Sequence, residues 1–353
     1  MIKRATKADL LAYRNSTAIN QDFLKNVVLK GKSTSVPQTS RITGDVVDRY
    51  LTMPNEVDDY FCVFDGKNPS VPLTKVLVGC MEYLVEVGKL TPDIKNHKRY
   101  VIKQTEFDDF DMTKTEETRF DSIVKKAEDW WRFVVENPGK EVIPEKERSF
   151  GAEIAKKAEQ HPVIGAYFPH EEVAGRDFYF QLPIYFEHEG VDCKCLPDEV
   201  IVSHTLKKII VVDIKTIYET VRSVIFQQIK QYGYAFQLAF YKAGVAYKFA
   251  KLIQDGYKIE CLWLFISKNL NNFNPEAIPC TANMIEWETH GGSIDSGRTY
   301  NNINFTLEAQ YEHRGLKTAL SIYKEALEKK SKTFNIQATR SLTAGDSEQL
   351  FFT

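Results

Sequence analysis

Residues 190–216 read G-V-D-C-K-C-L-P-D-E-V-I-V-S-H-T-L-K-K-I-I-V-V-D-I-K-T. The run Ile209-Ile210-Val211-Val212 is continuous, apolar and β-branched, which marks a strand buried on both faces near the centre of a sheet. Asp213 and Lys215 follow on that strand two residues apart, so they point to one face. Folding 198–215 as a hairpin centred between Thr205 and Leu206 sets 204 opposite 207 and Asp198 opposite Asp213. Directly opposite residues share a face, with Cα atoms about 4.5–5.5 Å apart. Two carboxylates then converge beside one lysine. Like charges so placed repel, which a divalent cation relieves, and a hard oxygen site suits Mg²⁺ or Mn²⁺. Thr205-Leu206 lacks Asn-Gly turn chemistry, so a bulge there would break this register. A bare D-x-K is also the pattern of a strand-end ion pair. The facing carboxylate and the buried strand set this one apart.

Outward from that stretch, F-Y-F-Q-L-P-I-Y-F-E-H-E upstream alternates as strands do, and I-E-C-L-W-L-F-I-S at 259–267 reads as a second buried strand. Between them the spacing predicts one long helix over 219–251, and an amphipathic helix over 307–330 comes last. The N-terminal half predicts helices over 8–30, from Thr43 to just before Pro54, and over 149–160, with a polar linker at 33–40. A short strand is expected at 60–64. V-L-V-G-C-M-E-Y-L-V-E-V-G-K-L and R-F-D-S-I-V-K-K-A-E-D-W-W-R-F-V-V-E-N have helical spacing. The acidic T-E-F-D-D-F-D-M-T-K-T-E-E between them reads as a loop or a helix N-terminus. This order argues for one α/β core with a helical N-terminal half.

The chain has 353 residues, 27% charged and 43% hydrophobic, so a wholly disordered or fibrous chain is excluded. Its formal net charge of −2 excludes a surface that attracts nucleic acid everywhere. A polyanion site must be local or bridged by metal. The charge is uneven: residues 45–66 carry Asp45, Asp48, Glu56, Asp58, Asp59 and Asp65 against Arg49 alone, and 201–260 carry nine Lys/Arg against four Asp/Glu. No apolar run approaches the roughly 20 residues of a membrane span, and the first residues lack a signal peptide's apolar stretch. No membrane contact and a cytoplasmic location are therefore expected. The six cysteines form no C-x-x-C pair, which favours free thiols over zinc or iron–sulfur.

Several strings carry a resemblance. Pro197-Asp198 followed by Asp213-Ile214-Lys215 resembles the signature of the PD-(D/E)XK nuclease superfamily. Residues 190–198 resemble the G-x-x-C-K-x-R-x-D strand of its RecE-like phage exonuclease branch, and V-D-I-K-T at 212–216 resembles the D-x-K-T strand. Y-G-Y-A-F-Q-L-A-F-Y at 232–241 resembles the helix that follows, with Gln237 and Tyr241 matching the Q-x-x-x-Y of RecB-like nucleases and sharing a helix face. G-D-V-V-D-R-Y-L-T at 44–52 resembles the G-x-x-x-H helix, with Asp48 where the family often has His. Residues 149–168 resemble the helix and H-P turn before the first strand. The likeness covers about 40–70 and 149–330.

The resemblance implies a restriction-endonuclease-like core: a central mixed sheet flanked by helices, plus the helical N-terminal half. It implies an N-terminal part of the core over 1–69 that carries Gly44 and Asp48. A helical insertion follows over 70–148, then the nuclease core over 149–332; the polar composition of 333–353 predicts a mobile tail. It implies a metal-dependent DNA exonuclease that hydrolyses phosphodiester bonds in recombination or DNA end processing, with an endonuclease of the same superfamily as the alternative. Asp198 and Asp213 would ligate Mg²⁺ or Mn²⁺ with the carbonyl of Ile214, and Asp48 would be an outer or second-metal ligand. Lys215 would orient or help deprotonate the attacking water, while Gln237 and Tyr241 would position Lys215 or touch phosphate. Lys207, Lys208, Arg222 and Lys230 are candidates for backbone contacts on DNA. A toroidal homo-oligomer would favour an exonuclease and a monomer an endonuclease. A non-catalytic nucleic-acid-binding or assembly protein on a nuclease fold is the reading from another class. The end of the chain, 346–353, resembles short peptides that dock on sliding clamps or recombination partners.

Overall fold

The computed structural model describes residues 1–25, 38–290, 292–294, 311–313 and 315–328. The expected tail and its docking peptide lie outside these residues, as does most of the 33–40 linker. In chain order the elements are β1 (Ile2–Arg4), α1 (Lys7–Asn15), α2 (Gln38–Thr52), α3 (Val57–Tyr60), β2 (Phe61–Val63), α4 (Val71–Glu86), α5 (Lys98–Phe107), α6 (Glu116–Glu136), β3 (Glu141–Ile143) and α7 (Glu145–Gln160). There follow β4 (Arg176–Phe180), β5 (Ile184–His188), β6 (Val191–Cys195), β7 (Glu199–Ser203), β8 (Lys208–Ile217), α8 (Arg222–Tyr232), α9 (Tyr234–Lys248), α10 (Ala250–Gln254), β9 (Lys258–Ser267), β10 (Glu276–Cys280), α11 (Ala282–His290), β11 (Gly292–Ile294), β12 (Tyr311–His313) and α12 (Leu316–Glu328).

The chain divides into two compact units. Met1–Pro54 with Gly151–Ala338 form the first, and Asn55–Phe150 lie in the second. Residues 55–69, grouped on sequence with the core, therefore lie in the second unit. The physical reason is a ladder: β2 pairs in parallel with β3, Phe61 opposite Glu141. That pairing ties both ends of the segment to each other. The second unit has its own core of Leu77, Met81, Ile123, Trp130, Trp131 and their neighbours. The acidic stretch divides: α5 runs on to Phe107, and Thr115 caps α6 by accepting from the Thr118 N–H, with Glu116 and Glu117 in the first turn.

The first unit is α/β. Its six-stranded mixed sheet has the order β1-β4-β7-β8-β9-β10, with β1–β4 and β8–β9 parallel and the other pairs antiparallel. β8 lies inside the sheet, as its β-branched run predicts, and Ile209, Val211 and Val212 are fully buried. The turn does not slip. Glu199 pairs with Val212 and Ser203 with Lys208, so the register runs on to set Asp198 opposite Asp213. In the parallel ladder on the other side, Asp213 pairs with Trp263. β6 is not continuous with β7; it pairs with β5 in a separate two-stranded ladder. Cys193 and Cys195 are buried there, and all six cysteines are free thiols.

Three expected helices differ. The first ends at Asn15, where the C-terminal carbonyls meet a buried cation: Lys194 Nζ donates to the carbonyls of Tyr13 (2.7 Å), Arg14 (3.2 Å) and Ser16 (2.9 Å). The long helix over 219–251 breaks at Gly233, whose φ of +64° is left-handed and ends α8 before α9 begins. The last helix starts at Leu316. The second predicted helix is α2, extended back to Gln38, and it lies on β8: a Cβ at Gly44 would stand 3.1 Å from Thr216 Oγ1. Helix α9 covers the face of the sheet that carries Val200, Val202, Ile209 and Val211, with Leu238, Phe240 and Val245 in the same core.

Candidate active site

β7 starts at Glu199, one residue after Asp198, so β8 runs on past its partner strand. The ladder does not run on to Pro197, whose carbonyl turns to the other side and accepts from the Leu182 N–H at 3.2 Å. Proline has no N–H to give to the Ile214 carbonyl. The Ile214 N–H is satisfied instead by a side chain, donating to Asp198 Oδ2 at 2.7 Å. In an antiparallel ladder the N–H and C=O of one residue point to the same neighbour. The Ile214 carbonyl therefore leaves β8 on the Asp198 side, beyond the last rung.

Asp213 is fully buried, and its Oδ1 accepts from Lys215 Nζ at 2.7 Å. Its other oxygen, Oδ2, has no hydrogen-bond partner. The Lys215 ammonium also lies 4.9 Å from the ring centre of Tyr234. On the next turn of α9, Gln237 Nε2 donates to the Tyr241 hydroxyl at 2.8 Å. Asp48, from α2, joins through Gln181, whose Nε2 donates to Asp48 Oδ2 at 2.8 Å and to Asp198 Oδ1 at 3.5 Å. Asp48 Oδ1 is buried without a partner. The sheet and α2 thus bring together Asp48, Asp198, Asp213, Ile214 and Lys215, with Gln237 and Tyr241 on α9.

Burial dominates the electrostatics. It pushes the carboxyls of Asp48, Asp198 and Asp213 each up to about 7. Neighbouring acids add to this, while Lys215 opposes it at all three. At Lys215 burial works against the charge, but Asp213 and Asp198 outweigh it and hold the ammonium above its ordinary range. Burial raises the Tyr241 hydroxyl well above the ordinary value, and the charges of Asp198 and Asp213 raise it further.

A divalent cation is the group this chemistry implies. The fit is in the donor set: hard oxygens, two of them buried and orphaned, on acids that burial makes reluctant to ionise. Among the described residues no three His, Cys, Asp or Glu side chains are grouped so as to hold one ion. Asp198, Asp213 and the Ile214 carbonyl are the inner candidates, and Gln181 links Asp48 to Asp198.

Two of the basic candidates lie away from these acids. Lys207 and Lys208 lie at the turn end of the hairpin, five residues or roughly 17 Å of strand from Asp198. Lys208 pairs with Glu260 at 2.7 Å, and Lys207 donates to the Asp255 carbonyl at 3.3 Å. Arg222 is exposed at the start of α8, 3.9 Å from Glu276, and Lys230 is exposed near its end. His204 sits at the same far end, between Asp177 (2.9 Å) and Tyr257 (3.0 Å), and His170 faces Glu159 at 3.5 Å.

Sequence reasoning missed three residues. Gln181 bridges two acids from different elements, and no motif marks it. Glu199, beside Asp198 but on the opposite face of the sheet, is fully buried with both carboxyl oxygens unpartnered, and burial holds it well above the carboxylate range. A period-two reading of Asp198-Glu199-Val200 would have placed it. Lys25, which donates to the Tyr232 carbonyl at 3.0 Å, contributes positive charge at Asp213.

No family model matches the chain, and no curated protein matches it. Among solved structures it is similar to a Eubacterium rectale protein that bears the name "putative exonuclease", at 16% identity and a TM-score of 0.30, over 67% of this chain and 80% of that one. A likeness at that level assigns neither fold nor activity.

Proposed function

We propose that the chain is a metal-dependent DNA nuclease of the PD-(D/E)XK type on a restriction-endonuclease-like core, acting as an exonuclease in recombination or end processing. One observation carries the reading: Asp198 and Asp213 face each other at the end of β7, with Lys215 paired to Asp213 and the Ile214 carbonyl directed past the last rung. Such a set has no structural economy by itself. Burying two facing acids costs stability unless a cation or proton joins them.

Asp198 and Asp213, with the Ile214 carbonyl, would hold Mg²⁺ or Mn²⁺, which supplies charge to polarise the phosphodiester and acidify water. Lys215 acts as a donor: with two acids beside it, it is an ammonium and not a base. Its task is to orient the attacking water and offset charge developing on the phosphate. Asp213 and the Tyr234 ring fix where that ammonium points. Gln237 and Tyr241 present an amide and a hydroxyl on the helix face above, suited to a phosphate oxygen.

The test is cleavage of end-labelled linear duplex and closed circular DNA, with Mg²⁺ or EDTA, by the wild type, Asp213→Ala and Lys215→Ala. The expected result is Mg²⁺-dependent loss of the linear form alone, with Lys215→Ala slower by about 10²–10³ and Asp213→Ala inactive. Nicking of the circle as well makes it an endonuclease. Cleavage unchanged in both variants overturns the site. DNA binding without cleavage in Mg²⁺ makes the chain a binding protein.

A further inference from the structure

Gln181 follows β4 directly and is buried, 3% exposed. Its φ of +49° lies in the left-handed region, which is unfavourable for a residue with a Cβ. Glycine takes that backbone freely, so whatever keeps this position useful resides in the glutamine side chain or in the turn itself. The turn contributes one bond, from the Gln181 N–H to the Asp198 carbonyl at 2.9 Å. The side chain contributes two, from Nε2 to Asp48 Oδ2 and to Asp198 Oδ1. An amide NH₂ is a donor only, and here both acceptors are acids. Main chain and side chain of one residue therefore brace Asp198, and the side chain ties it to an acid on α2.

Resting on the nuclease reading above, we propose that Gln181 is a positioning residue: it couples the outer acid Asp48 to the inner ligand Asp198 and fixes the rotamer in which Asp198 meets the metal. Asp198 Oδ2 is occupied by the Ile214 N–H, so the orientation of Oδ1 decides how the carboxylate addresses an ion. Gln181 is the side chain that orients it. Groups that orient a metal ligand from behind commonly change affinity about 10–100-fold when removed.

The experiment is calorimetric titration of Mn²⁺ into the full chain, comparing the wild type with Gln181→Gly and Gln181→Met. Glycine removes the amide and relieves the backbone. Methionine removes the amide and keeps the bulk. Circular dichroism checks that each variant is folded. Both folded variants are expected to bind Mn²⁺ about 10–100-fold more weakly, a loss that a merely turn-forming residue would not show in the glycine variant. A wild-type affinity in either variant overturns the proposal and leaves the nuclease reading standing. A wild type that binds no Mn²⁺ overturns both. Should the methionine variant not fold, the glycine variant alone decides.

Discussion

At the residue scale, the three raised acids make stability depend on pH in a definite sense. An aspartate near 3.8 when unfolded and about 7 when folded binds its proton more tightly in the native state. Between about pH 4 and 7 the unfolded chain gives up protons that the native chain keeps. Stability without metal therefore falls across that window and stays low above it. Asp48→Asn removes one such group while its side-chain oxygen still accepts from Gln181. In EDTA at pH 8 the variant should be more stable than the wild type, its melting temperature higher by about 2–4 °C. The gap should close toward pH 4. Equal melting curves at pH 8 would show that the Asp48 carboxyl ionises without penalty. Asp198, Asp213 and Lys215 were legible because strand periodicity fixes faces two residues at a time. Gln181 was not, because its partner on α2 lies far away in sequence and nothing local sets its φ.

At the element scale, the hairpin register was readable despite its unremarkable turn. Two strands of continuous apolar residues have one alignment that keeps both acids off the apolar rows. The break at Gly233 was not readable, since the apolar spacing on either side continues as if one helix ran through. Nor was the end of α1, because its terminator is Lys194, a residue on a strand far along the chain. The contact of α2 with β8 yields a prediction. A Cβ at Gly44 would already crowd Thr216 Oγ1 at 3.1 Å, so the two further methyls of Gly44→Val must displace Thr216 or the helix. Overpacking of this kind costs about 1–3 kcal/mol. Because Asp48 is one turn further along α2, the variant should also weaken Mn²⁺ binding. Urea denaturation with the calorimetric titration checks both. A destabilised variant with unchanged Mn²⁺ affinity would separate Asp48 from the metal site.

At the scale of the whole molecule, two units with separate cores should respond separately to ligand. All the candidate ligands belong to the unit formed by Met1–Pro54 and Gly151–Ala338. Mn²⁺ at about 100 times its Kd should stabilise that unit by about 2.7 kcal/mol. Scanning calorimetry should then show one transition moving up with Mn²⁺ and another, from Asn55–Phe150, staying in place. A single transition that shifts as a whole would mean the units unfold together. The sequence predicted the strand at 60–64 but grouped it with the core, because nothing local to β2 says which strand it pairs with. Its partner β3 lies across the whole insertion.

The ladder between β8 and β9 sets Trp263, fully buried and with its indole N–H unpartnered, directly beside Asp213. An indole's emission colour follows the electric field across its ring. The protein thus carries its own lamp next to the acids. Adding Mg²⁺, which does not quench, should shift the emission of the wild type. Trp263→Phe should abolish that response while leaving the affinity for the ion unchanged, so that loading of the site can be followed by light alone, with neither DNA nor a dye present.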